Sequence, residues 1–120
     1  MELVIFAYML IVLKSEIQHI LVTAVDPSGE DFLQLDEAIL VAAKILENEK
    51  VLICSQANGA RIETYVRKAT SGDGTCCISG PATKLMTKGD RIGIMTFAQW
   101  GTNDSRSGYP VIINAGKGIR

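Results

Sequence analysis

The chain has 120 residues, 48% of them hydrophobic, and 12 basic against 13 acidic side chains give a formal charge of -1. That length fits a single domain over residues 1–120 with a core of its own. The near-balance of charge, with no run of one sign, argues against nucleic acid or an anionic membrane as a partner.

The first predicted element is an apolar run at residues 3–13. It is too short to span a bilayer, which takes about 20 residues, and it lacks the basic flank and cleavage site of a secretory leader. A strand covered on both faces is expected, in a barrel core or against a neighbouring subunit. After the charged Lys14-Ser15-Glu16, the β-branched stretch 18–25 predicts a second strand ending in the Asp26-Pro27-Ser28-Gly29 turn. A short strand follows at 32–35, and Asp36 is placed to cap a short helix reaching residue 46.

Residues 50–56 and 60–68 flank Ala57-Asn58-Gly59, and Asn-Gly supplies the positive φ angles of a tight hairpin. Beyond a loop at 70–74 come a strand at 75–79, turns at 80–82 and 87–90, and a strand at 91–98. Residues 99–108 read as a polar loop, and 109–115 as a last edge strand with Pro110 near its start. Many short strands with one or two short helices predict a mainly β fold, a small barrel. Cys54, Cys76 and Cys77 form an odd set without paired C-x-x-C spacing, which points away from zinc and disulfides and towards the cytoplasm. No metal is expected.

Several stretches together resemble the pyruvoyl-dependent aspartate 1-decarboxylases. They are LKSEIQHILVT at 13–23, AAKILENEKV at 42–51, NGARIETYV at 58–66, SGPA at 79–82 and KGDRIGI at 88–94. They lie on the family pattern without a gap from about Leu13 to Pro110. The resemblance implies a double-psi β-barrel, a homotetramer and a site between adjacent subunits. In that family a Gly-Ser pair cleaves itself to leave a pyruvoyl group, whose ketone forms a Schiff base with the substrate amine. Counted back from ILENE, the pair falls on Asp31-Phe32, and a phenyl ring has no oxygen with which to attack. Ser28 lies four residues too early and follows Pro27, while Thr75 lies in a distant segment.

The resemblance carries three further roles. Arg61 matches the arginine that holds the substrate carboxylate, suited by its planar fork. Thr64 matches the threonine that assists cleavage, and Tyr65 the proton donor. Strict alternation puts Arg61 and Tyr65 on one face, roughly 13 Å apart at ~3.3 Å per residue, and Thr64 on the other. A bulge in the strand, or a second subunit, is needed to unite them. The family's lysine for the acidic substrate falls on Glu16 and its histidine on Gln18, with His19 displaced to the other side of the strand. At the turn that receives the substrate stand Gly80, Pro81 and Ala82, and Pro81 removes one backbone N–H.

Aspartate is therefore a poor candidate substrate. The reading that follows is an enzyme that does not process itself and uses no cofactor. Asp31 and Tyr65 would do acid–base chemistry on a small carboxylate or acyl substrate held by Arg61. Two alternatives stand beside it: a non-catalytic metabolite-binding or regulatory homologue, and a decarboxylase cut at an unexpected site.

Overall fold

The computed structural model describes residues 8–117, so the predicted strand at 3–13 lies partly outside them. β1 (Met9–Leu21) passes straight through Lys14-Ser15-Glu16, so the charged triplet does not separate two strands. Register shifts against a later strand, at Leu13/Ser15 and Ile17/Ile20, re-aim its side chains. Ser15 thereby enters the core, where its hydroxyl bonds Thr96 Oγ1 at 2.5 Å. β2 (Ala24–Asp26) and β3 (Phe32–Asp36) follow.

Asp36 caps α1 (Glu37–Ala43) as expected, its Oδ1 accepting the Ala38 N–H at 2.8 Å. The helix ends before residue 46 because Lys44 turns left-handed, at φ 58°, and its N–H folds back on the carbonyls of Leu40 and Val41. The hairpin joins β4 (Lys50–Ser55) to β5 (Arg61–Ala69). Its turn is wider than a two-residue Asn-Gly loop, and of that pair only Gly59 has a positive φ. The Asn58 side chain instead accepts the Ala60 N–H at 2.9 Å and donates to the Leu85 carbonyl at 2.8 Å.

β6 (Cys76–Ser79) runs into a 3-10 turn at Gly80–Lys84. β7 (Arg91–Gly101) extends into the expected loop, taking in Gln99 and Trp100. β8 (Val111–Asn114) begins just after Pro110 and is an edge strand, followed by a 3-10 turn at Ala115–Lys117.

The eight strands form one mixed sheet in the order β2-β6-β3-β5-β4-β7-β1-β8. β1 and β2 stand far apart in that order, yet only Val22 and Thr23 separate them in the chain. The Val22 N–H reaches the Asp90 carbonyl and the Thr23 N–H the Cys76 carbonyl, each at 2.9 Å, so one stretch of chain borders both sides. The inner faces meet in a single cluster: Ile17, Leu33, Leu35, Ile53, Val66, Ile78, Ile92 and Ile94 are all buried. Each such side chain contributes roughly 1.5–3 kcal/mol relative to exposure.

The outer halves of β1 and β7 pair from Leu13–Phe97 to Met9–Gly101 as a two-stranded ribbon. Tyr8, Met9, Ile11 and Phe97 are exposed on it, Ile11 by 72%. The barrel-core placement expected for this run is thus corrected, since the bulge at Leu13/Ser15 leads the strand away from the core. Among the described residues, no helix is long and apolar enough to cross a membrane.

Candidate functional site

Parallel pairing of β3 with β5, from Leu33–Val66 to Asp36–Ala69, sets the geometry of the hinge at Asp31-Phe32. Continued back by two residues, that register brings Asp31 level with Thr64. The Thr64 hydroxyl donates to Asp31 Oδ1 at 2.7 Å. Thr64 itself is 2% exposed, so this bond satisfies a hydroxyl that β5 turns inward. Asp31 is exposed in the single chain. Its hydrogen-bond partner is Thr64 rather than Tyr65.

Phe32 points the other way. The Arg67 guanidinium lies 4.3 Å from its ring centroid and also pairs with Glu30 at 2.6 Å. The face carrying Phe32 is thereby covered by a cation–π contact and an ion pair, each partly exposed and so modest in energy. Arg67 and Glu30 had no distinguishing signal in the sequence, because parallel neighbours come from distant segments.

Gly80 packs directly behind the hinge. It has φ 84°, and a methyl group there would stand 3.0 Å from both Asp31 Cα and the Glu30 carbonyl. Pro81 is exposed at the start of the 3-10 turn, whereas Ala82 is buried in the core, 1% exposed. Ser79, paired with Phe32 across β3 and β6, buries a hydroxyl without a partner among the described residues, packed against Gly29.

Tyr65 is 53% exposed on the outer face of β5, with Lys50 opposite. Arg61 shares that face, opposite Cys54. The ladder between them has no register shift, so no bulge draws them together within this chain. Glu16 is half-buried on β1, between Met95 and Ile112. A groove of about 480 Å³ runs over the outer sheet face, bordered by Ile11, Lys50, Leu52, Glu63, Phe97 and Gln99. None of Asp31, Arg61, Thr64 or Tyr65 lines it. Among the described residues, no group of three or more His, Cys, Asp or Glu is placed to hold a metal ion. Burial pushes the Cys76 thiol up to about 12, with Cys77 adding to the shift, so Cys76 is core filling rather than a nucleophile.

Comparison with known proteins gives a consistent result. The model of the family described as aspartate decarboxylase matches residues 8–119. An aspartate 1-decarboxylase of Caldicellulosiruptor saccharolyticus is 40% identical over 102 residues, covering 85% of this chain and 80% of the relative. One from Pelotomaculum thermopropionicum is 36% identical over 104 residues, covering 87% and 79%. One from Caldicellulosiruptor bescii is 43% identical over 86 residues, covering 72% and 67%. With the match running from the start of the ribbon to the last 3-10 turn, the chain belongs to the aspartate decarboxylase family.

Proposed function

We propose that this chain is an enzyme that keeps its backbone intact and works by acid–base chemistry on a small carboxylate or acyl compound. The reaction class is hydrolysis, cyclisation, elimination or isomerisation. The observation that carries the reading is the Thr64–Asp31 bond at the place where the resemblance sets the self-cleaving pair. Asp31 Oδ1 is fixed by Thr64, which leaves Oδ2 to take or give a proton. Tyr65 supplies the second titratable hydroxyl, and Arg61 of a neighbouring copy holds the carboxylate or a developing oxyanion.

A pyruvoyl group does not fit these residues. Position 32 carries a ring capped by Arg67, and the sequence contains no Gly-Ser pair. The remaining step from sheet to closed double-psi barrel is supported by the single stretch that borders both sides of the sheet and by the common core. Assembly as a homotetramer is supported by the exposed apolar ribbon and by the separation of Arg61 from Tyr65 along an unbroken strand. The three free thiols fit a cytoplasmic setting.

Asp31→Asn and Tyr65→Phe should each lower turnover of a small carboxylate or acyl substrate by about 10²–10⁴-fold, the usual contribution of general acid–base groups. Undiminished turnover in both variants would leave a binding protein as the better account.

A further inference from the structure

His19 takes no part in the chemistry above, yet its backbone is held in the left-handed region. It sits at φ 60° in the bulge of β1 between Ile17 and Ile20, in the left-handed region that few residues besides glycine enter, histidine among the more frequent of them. Three neighbours fix it there. The Gln56 side-chain amide meets His19 Nδ1 at 2.6 Å, and Arg91 Nη1 donates to the His19 carbonyl at 2.9 Å. The Gln56 backbone N–H in turn donates to the Arg91 carbonyl at 3.1 Å, which binds the end of β4 to the start of β7. Gly93 lies between the bulge and β4, opposite Cys54, and a methyl group there would meet nothing closer than the Ile17 carbonyl at 3.8 Å.

These groups come from β1, β7 and the turn that follows β4, and His19, Gln56 and Arg91 are all exposed. The Gln56 amide engages Nδ1 of the ring, and no hydrogen bond from a described residue engages Nε2. Gln56 keeps its second amide N–H, and Arg91 keeps the remainder of its guanidinium fork. Neither Arg91 nor Arg61 forms an ion pair with any described residue. Arg61 faces the same side, one row on and two strands away, roughly 12 Å between backbones at ordinary sheet spacing. The carboxylates nearby are engaged: Glu63 pairs with Lys50 at 2.6 Å, and Asp90 Oδ2 accepts the Thr87 N–H at 2.9 Å. The result is a set of unspent donors in a field of two positive charges.

We propose that His19, Gln56 and Arg91, with Arg61 beside them, bind a phosphate-type oxyanion. A planar carboxylate is met by one guanidinium fork, whereas donors converging from three segments suit a tetrahedral group with three terminal oxygens. Two arginines also match the charge of about -1.5 to -2 that a phosphate monoester carries at neutral pH. The site shares Arg61 with the acid–base reading but uses none of Asp31, Thr64 or Tyr65, and its test reads binding at His19, Gln56 and Arg91 rather than turnover, so the two fail separately.

The full chain would be titrated with inorganic phosphate, glycerol 3-phosphate and succinate, following the NMR signals of the Gln56 side-chain amide and the His19 imidazole. Both phosphates should shift both signals with Kd on the order of 1 mM, and succinate should bind about tenfold more weakly. A tighter fit for the ester would assign the site to an organic phosphate, and equal fits to the free ion. Arg91→Gln should weaken phosphate about tenfold. Because Arg91 also steadies the bulge, His19→Gly supplies a second check: glycine accepts this backbone conformation, so weaker binding there is loss of the ring. Silence at both signals up to about 20 mM phosphate, an unchanged Kd in Arg91→Gln and His19→Gly, or succinate binding as tightly as phosphate would overturn the assignment.

Discussion

Asp36 shows how one carboxylate organises its surroundings. Besides capping α1 it accepts the Gly72 and Gly74 N–H groups, each at 2.8 Å, while only 5% exposed. Burial pushes its pKa up, but the N–H donors of Gly72, Gly74 and Ala38 together outweigh that and hold it below the usual value of 3.8. A carboxyl depressed in the folded state contributes stability that is complete above its unfolded value and is lost as pH falls through the folded one. Asp36→Ala should therefore cost about 3 kcal/mol at neutral pH in denaturant unfolding, with the gap to wild type narrowing below about pH 3.8. At the hinge, Phe32→Ser alone should leave a single band on a denaturing gel, because Asp31 still occupies the Thr64 hydroxyl. Only Asp31→Gly combined with Phe32→Ser should yield two fragments.

Within the elements, the path of the chain behind the hinge depends on Gly80. Its positive φ disfavours any L side chain, and its Cα faces the backbone of Glu30 and Asp31 too closely for a methyl group. Gly80→Ala should cost about 2 kcal/mol or more in thermal or chemical unfolding, from left-handed strain plus the displaced hinge. Phe32 and Ser79, opposite each other on β3 and β6, would move with it. Several elements were legible beforehand for local reasons. Asp36 before an uninterrupted apolar stretch announced a helix cap, and Asn58-Gly59 between β-branched runs announced the hairpin. The unbroken passage of β1 through Lys14-Ser15-Glu16 was not legible, because a bulge and a buried Ser15–Thr96 bond are settled by the partner strand.

For the whole molecule, the exposed ribbon is the feature that supports the proposed assembly. Ile11 and Phe97 stand on the rim of the outer groove, and Tyr8 and Met9 extend the apolar surface. Light scattering should find an assembly of several 13.0 kDa chains, and Ile11→Glu with Phe97→Glu should shift it to smaller species. An unshifted mass in that double variant would place the contact elsewhere. Composition and local pattern alone gave a mainly β chain, the helix cap and the hairpin, because each rests on residues close in sequence, and the family came by resemblance. The candidate roles of Arg61, Thr64 and Tyr65 came by resemblance, and their directions from the alternation of a single strand. Which groups touch was decided only in the folded chain: parallel pairing of β3 with β5 gave Asp31 to Thr64 and Phe32 to Arg67, and the bulge in β1 gave His19 to Gln56. Such contacts depend on strand register between distant segments, which local periodicity does not encode.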